Sequence, residues 1–413
     1  MTRSNEPGML AAPSRNASAK IGQNRYEGLD AYRGIAALLI VIFHAYQHSR
    51  VDTPQYVYEG TWLHPFLVNL DGAVAWFFVL SGFLVFLPFA RAALRQAGAE
   101  SARGFMIRRA IRILPLYYVA ILIVWSFRYT GGLDQWIDLA EHLSFTNIFD
   151  PVHIFWTIGP AWSLAVEIVF YLLVAVLGFA IYRLSSRLSL NARTRLVAGV
   201  ISILIVASIG YKGWAFYVAQ FPELDWPIYF GPMAKLDTFA FGMLLALVVA
   251  SGQVHLGRKV ILCLRLAGIV ALGLAFIFRK SDLLVDLYFH TICGIAFLLV
   301  LASTVFAPES SWSKLLARPA FQFLGLISYS LYMWHEPIMV ELGKRGWLIQ
   351  EIPGAFPTNA LVLIVVSMIV AALSYRLIEE PVLQTRFLFT REGRLAKRYV
   401  DYESEESQVS GKS

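Results

Sequence analysis

Long apolar runs of about twenty residues recur along the whole chain, and short polar segments separate them. An α-helix needs about 20 apolar residues to cross the roughly 30 Å hydrocarbon core of a bilayer. The pattern therefore predicts an all-α, polytopic integral membrane protein with about ten transmembrane helices. The predicted spans are residues 29–48, 66–90, 113–130, 160–182, 196–218, 233–250, 260–278, 287–306, 321–341 and 360–379.

The charges in the loops predict which way the spans run. Short loops on the cytoplasmic side of a membrane protein carry an excess of lysine and arginine. With ten spans, all the basic segments fall on the side of the N-terminal tail, so both termini are predicted to be cytoplasmic. These segments are residues 91–112, 183–195, 251–260 and 307–320, together with the tail after Glu380.

The same pattern divides the chain into three parts. Residues 1–28 are polar and predict a disordered cytoplasmic tail. Residues 29–381 form one transmembrane domain, and residues 382–413 form a cytoplasmic tail that is first basic and then acidic. No separate soluble domain is predicted.

Composition supports a membrane location and excludes several functional classes. The chain is 57% hydrophobic and 15% charged, with a mean hydropathy of +0.59, whereas soluble domains carry about 25% charged residues. The net charge of +7 comes from short loops, which indicates topology and not nucleic-acid binding. Cys263 and Cys293 lie in apolar runs and predict packing, with no metal site and no permanently bound cofactor.

The first predicted span carries the clearest candidate chemistry. Arg33 lies at its cytoplasmic entrance, and His44 follows eleven residues later. Eleven residues rise roughly 16 Å and turn the helix about three times, so both side chains share a face, with His44 in the outer half. Titratable residues inside a membrane usually face protein or a water-filled cavity. His44 is therefore a candidate general base, proton relay or nucleophile.

A pair of arginines at the predicted start of the third span lies at the same depth as Arg33. Arg109 and Arg112 are three residues apart and would share a helix face. Guanidinium groups bind phosphate bidentately, and a helix N-terminus there would add to the attraction. The alternative is that these charges only set the topology. Together with Arg33, they favour a site for a phosphorylated ligand that enters from the cytoplasm.

Polar residues open the fourth span from the outer side. Ser163 and Glu167 are four residues apart on one face. Ser163 is alternatively a helix cap. A carboxylate within an apolar run requires a partner, and His44 is a candidate at similar depth. Such a pair would orient the imidazole and raise its basicity, as in hydrolytic triads.

Further polar residues remain within other predicted spans. The ninth span brings Tyr332, His335 and Glu336 into its outer half, and Pro337 is expected to break that helix locally. Ser81 with Gly82 in the second span permits close helix packing or a local break, and packing is the favoured interpretation. Lys235 and Asp237 in the sixth span are either an internal charge pair or part of an outer vestibule.

Taken together, six motifs in order resemble the membrane acyltransferase 3 family over residues 26–381. The first is LDAYRG, in which Ala-Tyr replaces the commoner Gly and small apolar residue, with Arg33 ahead of His44. The others are FFVLSGF at 77–83, the RxxR pair Arg109 and Arg112, WSLAVE at 162–167, SYSLYMWHEP at 328–337, and IEEP at 378–381.

The resemblance implies a transmembrane O-acyltransferase in a bacterial cytoplasmic membrane. It would move an acyl group, acetyl or another short chain, from cytoplasmic acyl-CoA to a hydroxyl of an envelope glycan, glycolipid or glycosylated metabolite. Arg33, Arg109 and Arg112 would hold the donor, and His44 would be the catalytic histidine with Glu167. The supporting or acceptor-side residues would be Trp162, Ser163, Tyr332, His335 and Glu379.

Two points concern the scope of this hypothesis. Many relatives carry a fused SGNH-type domain, and none is expected here. The acyl group, the acceptor, the oligomeric state and the choice between acyl-histidine and general base stay open.

The alternative function is a proton-coupled glycolipid transporter or flippase, with His44 and Glu167 as the relay. That function leaves the three cytoplasmic arginines without a role, and the chain shows no repeated halves.

Overall fold

The computed structural model describes residues 28–49, 56–96, 101–222, 225–280, 282–348 and 355–389, which are helical with connecting loops. Its long helices are α1 (Leu29–Gln47), α2 (Ala73–Arg95), α3 (Ala102–Arg128), α4 (Leu133–Ser144), α5 (Trp162–Ser185), α6 (Leu190–Gly213), α7 (Pro232–Ser251), α8 (Arg258–Phe278), α9 (Phe289–Val305), α10 (Pro319–Lys344), α11 (Ala355–Ser374) and α12 (Glu380–Phe389). Short helices cover His64–Leu67, Trp226–Phe230, Leu283–Leu287 and Ser311–Leu316. The predicted tail 1–28, apart from Gly28, lies outside the described residues, as does 390–413.

Within the described residues, eight helices are long and apolar enough to cross a membrane, and they are α1, α2, α3, α5, α6, α7, α8 and α11. This confirms an all-α polytopic membrane protein. Helix α9 has 17 residues and is shorter than the eight. Helix α10 is long but carries many polar side chains, because it lines the candidate site. The ten-span count and the cytoplasmic location of both termini stay predictions.

Two close helix contacts organise the core. Helices α1 and α10 touch at Gly34 and Gly325, where a Cβ on Gly34 would lie 2.6 Å from the Gly325 nitrogen. Helices α2 and α7 touch at Gly82 and Gly242, where a Cβ would meet the opposite backbone. Small residues let helix backbones approach closely inside membranes, and this close packing confirms the prediction for Gly82.

Three helices differ from their predicted forms. Helix α3 begins eleven positions before the predicted residue 113, because Ser101 caps it by accepting a hydrogen bond from the Gly104 N–H at 3.1 Å. Helix α10 continues through Pro337 to Lys344, so the expected break is wrong. Helix α11 passes through a π-helical turn, Tyr375–Glu379, into α12, which extends beyond the predicted end at residue 379.

Helix α4 lies in a loop where no helix was predicted. It is amphipathic, and its exposed face carries Leu133 and Trp136. The Tyr117 hydroxyl donates to the His142 carbonyl at 2.9 Å and fastens α4 to α3. This arrangement is typical of a helix that lies along a membrane surface.

Candidate functional site

His44 of α1 and His335 of α10 are in direct contact. His44 Nδ1 lies 2.9 Å from His335 Nε2, and the ring centroids are 5.0 Å apart. His335 is completely buried, and His44 is partly exposed. Because α1 and α10 touch at Gly34 and Gly325, the two helices bring these side chains to the same level.

The neighbouring carbonyl groups determine where the protons of the neutral pair lie. His335 Nδ1 is 3.2 Å from the Leu331 carbonyl oxygen, which can only accept, so Nδ1 carries the proton and Nε2 is an acceptor. His44 Nδ1 therefore donates, toward His335 Nε2 and toward the Ile40 carbonyl at 3.1 Å. This leaves the lone pair on His44 Nε2, the form that a general base or a nucleophile requires.

Glu167 does not fill the place suggested for it beside His44. Its Oε1 accepts hydrogen bonds from the Ser81 hydroxyl at 2.5 Å and from the Tyr171 hydroxyl at 2.5 Å. The suggested Glu167–His44 pair is therefore replaced by Glu167 with Ser81 and Tyr171, and by His44 with His335. Glu167 and His335 were both candidates to contact the His44 imidazole, because they lie at similar depth. The contact between α1 and α10 at Gly34 brings His335 to it.

One narrow cavity of about 70 Å³ joins the cationic and hydroxyl-bearing parts of the site. Helices α1, α2, α3, α5 and α10 all contribute to its walls. The predicted site residues that line it are Arg33, Arg109, Arg112, Ser163, Glu167 and Tyr332. Six residues from four separate sequence motifs thus face one space. Their spacing predicted shared faces within each helix, and the structure brings the separate helices together.

Aromatic and acidic neighbours hold the arginine end of the cavity. Arg33 Nη1 donates to Asp30 at 2.8 Å, a carboxylate on the same helix. The Arg109 guanidinium lies 5.4 Å from the centre of the Tyr171 ring and 5.6 Å from that of Phe105, within cation–π range. Both Arg109 and Arg112 lie well inside α3, so the expected contribution of a helix N-terminus is wrong.

Glu379 lies behind this arginine end. The Ser330 hydroxyl of α10 donates to its Oε1 at 2.5 Å, and Arg112 interacts with it electrostatically. Glu379 is 7% exposed in the π-helical turn that links α11 to α12. The carboxylate is thus bonded to α10 and lies within electrostatic range of Arg112, and its supporting role stays a prediction.

At its other end the cavity is lined by Tyr332, which lies next to His335. The Tyr332 hydroxyl lies 2.8 Å from the Ser163 hydroxyl, and it donates to the Pro160 carbonyl at 3.1 Å. The Tyr332 ring centroid is 5.8 Å from that of His335. Trp162 is buried beside this group and packs edge-on against Phe78. Of the predicted acceptor-side residues, Tyr332 thus connects the cavity wall with the histidine pair.

Two ion pairs complete the surroundings, and each uses a residue that sequence reasoning did not single out. Arg128 donates to Glu336 at 3.1 Å and to the Thr157 carbonyl at 2.7 Å, which fixes the outer part of α10. Lys212 of α6 donates to Asp237 at 2.7 Å, so Asp237 belongs to an internal charge pair. A lysine inside an apolar run was the available signal for that second pair.

Comparison with known proteins agrees with this geometry. The family model described as an acyltransferase domain, of the acyltransferase 3 type, matches residues 26–376. The chain belongs to the membrane acyltransferase 3 family. This confirms the resemblance carried by the six motifs.

Two curated relatives show how far the similarity extends. O-acetyltransferase OatA of Staphylococcus aureus (strain NCTC 8325 / PS 47) is 24% identical over 87% of this chain and 57% of its own length. The membrane-bound transacylase BcsY of Komagataeibacter xylinus is 25% identical over 86% of this chain and 83% of its own length. The chain thus spans little more than half of OatA. No solved structure matches.

Proposed function

We propose that this protein is an acyl-CoA-dependent O-acyltransferase that acts across a bacterial cytoplasmic membrane. The observation that carries the proposal is the cavity with three arginines at one end and Tyr332, next to the histidine pair, at the other. Two relatives are named as an O-acetyltransferase and a transacylase, and these names support the same reaction class. The proposed acceptor is a hydroxyl of an envelope glycan, glycolipid or glycosylated metabolite.

The donor would enter at the arginine end. Arg33, Arg109 and Arg112 supply guanidinium groups for the phosphates of CoA, and guanidinium–phosphate hydrogen bonds are strong and directional. The thin pantetheine arm suits a narrow cavity of about 70 Å³. Its thioester would then lie toward Tyr332 and the histidines. This proposal gives every lining arginine a function.

At the other end, His44 would act through its unprotonated Nε2. The nitrogen takes the proton of the acceptor hydroxyl while that oxygen attacks the thioester carbonyl carbon, forming the C–O bond. The C–S bond breaks, and the proton passes from His44 to the departing CoA sulfur. In a covalent variant, Nε2 attacks the thioester carbonyl carbon, the C–S bond breaks and CoA thiolate leaves. The acceptor oxygen then attacks the acyl-imidazole, the C–N bond breaks, and the hydroxyl proton passes to the CoA thiolate.

Neighbouring groups would support this step. His335 accepts the His44 Nδ1 proton, so it fixes the tautomer and orientation of the base. The Tyr332 and Ser163 hydroxyls, which both donate to the Pro160 carbonyl in the free protein, would turn to donate to the thioester carbonyl oxygen as negative charge develops. Glu167 would position Ser81 and Tyr171 along the wall and balance the arginine charge.

The transporter alternative receives less support from the geometry. Its relay requires proton exchange between His44 and Glu167, and these residues hydrogen-bond to different partners. It also gives no function to Arg33, Arg109 and Arg112, which line the same cavity as Glu167.

The test uses the full chain in inverted membrane vesicles supplied with [¹⁴C]acetyl-CoA. Wild-type protein is expected to release CoA and to place label in a glycan or glycolipid fraction. The His44→Ala variant is expected to lose transfer while it still inserts and binds acetyl-CoA. Absence of transfer and of CoA release in the wild type, with glycolipid movement intact, would establish the transporter instead.

A further inference from the structure

A second and larger cavity, of about 410 Å³, opens on the side of α1 that bears Phe43 and Gln47. The Phe43 ring lies 5.0 Å from the ring of its chain neighbour His44. The rest of the wall comes mainly from α6, α7, α9 and the segments next to them. In the predicted orientation this cavity faces the outer side. Phe43 is therefore the wall residue that lies next to His44 in the chain.

Most charges around this cavity neutralise one another. Asp237 pairs with Lys212 at 2.7 Å. Arg279 pairs with Asp71 at 2.7 Å and with Asp286 at 2.9 Å. Arg279 therefore pairs with two carboxylates and Lys212 with one, so these direct pairs contain three carboxylates and two cations.

Lys235 is a buried cation of this wall that no carboxylate of the described residues contacts. It lines the cavity and is 4% exposed, and no such carboxylate lies within 4.0 Å of its ammonium group. Asp237 and Asp71 act on it only from farther away, and its hydrogen-bond partner is His290 Nδ1, at 3.2 Å. A buried ammonium without a direct ion pair is costly, so an anionic ligand in contact with it would stabilise it.

Aromatic rings surround this ammonium group. Its nitrogen lies 4.9 Å from the centre of the Phe230 ring and 5.8 Å from that of Trp162. Trp226 and Tyr229 add further aromatic surface to the same wall. An aromatic wall with one fixed charge is typical of a pocket that holds a ring-shaped ligand and orients it by a single polar contact. A saccharide with an acidic group fits this description.

We propose that this cavity is the acceptor site and that the acceptor is an anionic saccharide whose carboxylate or phosphate pairs with Lys235. The hydroxyl to be acylated would then lie past Phe43, near His44. This inference rests on the proposed acyl transfer and adds the chemical class of the acceptor. Binding is nevertheless measurable without transfer, so the two proposals can fail separately.

The experiment uses oligosaccharides released from the envelope of the native strain lacking this protein. Anion exchange separates them into acidic and neutral fractions, which are tritiated at the reducing end. Each fraction is tested for binding to the full chain in phosphatidylcholine nanodiscs. The acidic fraction is expected to bind wild-type protein, and removal of its charge by carboxyl reduction and phosphatase should abolish binding.

Variants at Lys235 then test the pairing. Lys235→Gln is expected to weaken binding of the acidic fraction roughly tenfold or more, the value of one charge-assisted hydrogen bond. Lys235→Arg should restore part of it, and acetyl-CoA binding should not change. Lys344→Gln is the matched control, since Lys344 is exposed at the same predicted side and away from the cavity.

Three results would overturn the inference. The first is equal binding of the neutral and acidic fractions, and the second is unchanged binding in Lys235→Gln. The third is binding of glycerol phosphate, the phosphatidylglycerol headgroup, as tightly as the acidic fraction, which would make the cavity a lipid site. Any of these with acyl transfer intact leaves the proposed reaction standing. Binding as expected without transfer or CoA release would refute the reaction and keep the saccharide site.

Discussion

The imidazoles of His44 and His335 share a hydrogen bond of 2.9 Å across two helices that run in the same direction. Each histidine lies ten residues after the glycine at which its helix touches the other, Gly34 for α1 and Gly325 for α10. Equal spacing along parallel helices gives equal height, so the glycine contact sets the register of the pair. The geometry of the reactive histidine thus depends on backbone packing almost three turns away.

Replacement of His335 by alanine is expected to lower kcat roughly 10- to 100-fold, because His44 would lose the acceptor that fixes its tautomer. The KM for acetyl-CoA should stay close to that of the wild type, since His335 is remote from the arginines. Steady-state kinetics in nanodiscs with radiolabelled acetyl-CoA measures both quantities.

A matched variant separates positioning from packing at this site. The amide oxygen of His335→Gln can still accept the His44 Nδ1 proton, so this variant should regain part of the kcat lost in His335→Ala. Equal loss in both variants, with unchanged thermal stability, would refute the positioning role of His335.

Gly34→Ala tests the helix contact itself. The added Cβ would lie 2.6 Å from the Gly325 nitrogen, and backbone cannot move aside as a side-chain end does. We expect a loss of about 1–3 kcal/mol in unfolding free energy and a fall in kcat, because α1 must shift against α10. Thermal unfolding by intrinsic fluorescence and acyl-transfer kinetics measure the two effects.

Gly273→Ala provides the control for that substitution. Gly273 lies in α8, and a Cβ there meets nothing within 4 Å in the described structure. Alanine is the better helix former by about 1 kcal/mol, so this variant should be at least as stable as wild type and fully active. Similar losses of stability and kcat in Gly34→Ala and Gly273→Ala would show that the effect of Gly34→Ala does not come from the α1–α10 contact.

The sequence predicted which residues share a face but not which residues touch. Helical spacing placed Arg109 and Arg112 on one face, and the loop charges placed Arg33 at the same depth. The structure brings the three to one cavity. The partner of His44 was not predictable in this way, since Glu167 and His335 lie at similar depth on different helices. Choosing between them requires the rotation of each helix about its axis, which depends on tertiary contacts such as the one at Gly34.

Ion pairs inside apolar runs were equally hard to predict. Lys212 occurs at the end of a predicted span and was not connected with Asp237, 25 residues away. Hydropathy averages over a window, so one lysine in an apolar run barely changes the predicted span. The structure pairs Lys212 with Asp237, whereas Lys235 lines the larger cavity with no carboxylate within 4.0 Å in the described structure. The sequence treated Lys235 and Asp237 together and left both alternatives open for them.

Arg109→Ala combined with Arg112→Ala is expected to raise the Kd for acetyl-CoA on the order of 100-fold, from two lost charge-assisted hydrogen bonds. At saturating acetyl-CoA, the kcat of the double variant should be close to that of wild type, because both side chains are remote from His44. Equilibrium binding with radiolabelled acetyl-CoA and saturation kinetics measure these quantities. Arg195→Ala is the matched control, since Arg195 is exposed at the same predicted side. Unchanged donor affinity in the double variant would leave the pair with a topological role alone.

The loop between α4 and α5 predicts a pH effect that is separate from catalysis. Partial burial raises the pKa of Asp150, but hydrogen bonds from the backbone N–H groups of Val152 and His153 outweigh it and leave that pKa below its ordinary value. A lowered pKa contributes stability that is present above the unfolded pKa of about 3.9 and is lost as pH falls through the folded pKa. Thermal stability of the wild type should therefore decline below about pH 4, partly through this loop.

Asp150→Asn and Glu141→Gln distinguish Asp150 of that loop from Glu141 in the last turn of α4. The amide oxygen introduced by Asp150→Asn can still accept both N–H groups without titrating, so this variant should lose less stability than wild type between about pH 4 and pH 3. Burial and the nearby Asp150 raise the pKa of Glu141. Ionised Glu141 therefore lowers the free energy of unfolding, and this loss of stability develops as pH rises through the folded pKa. Glu141→Gln should therefore gain stability relative to wild type above about pH 5, the opposite direction. Thermal unfolding from about pH 3 to pH 7 measures both differences, and parallel curves for wild type and Asp150→Asn would contradict the assignment of the acid effect to Asp150.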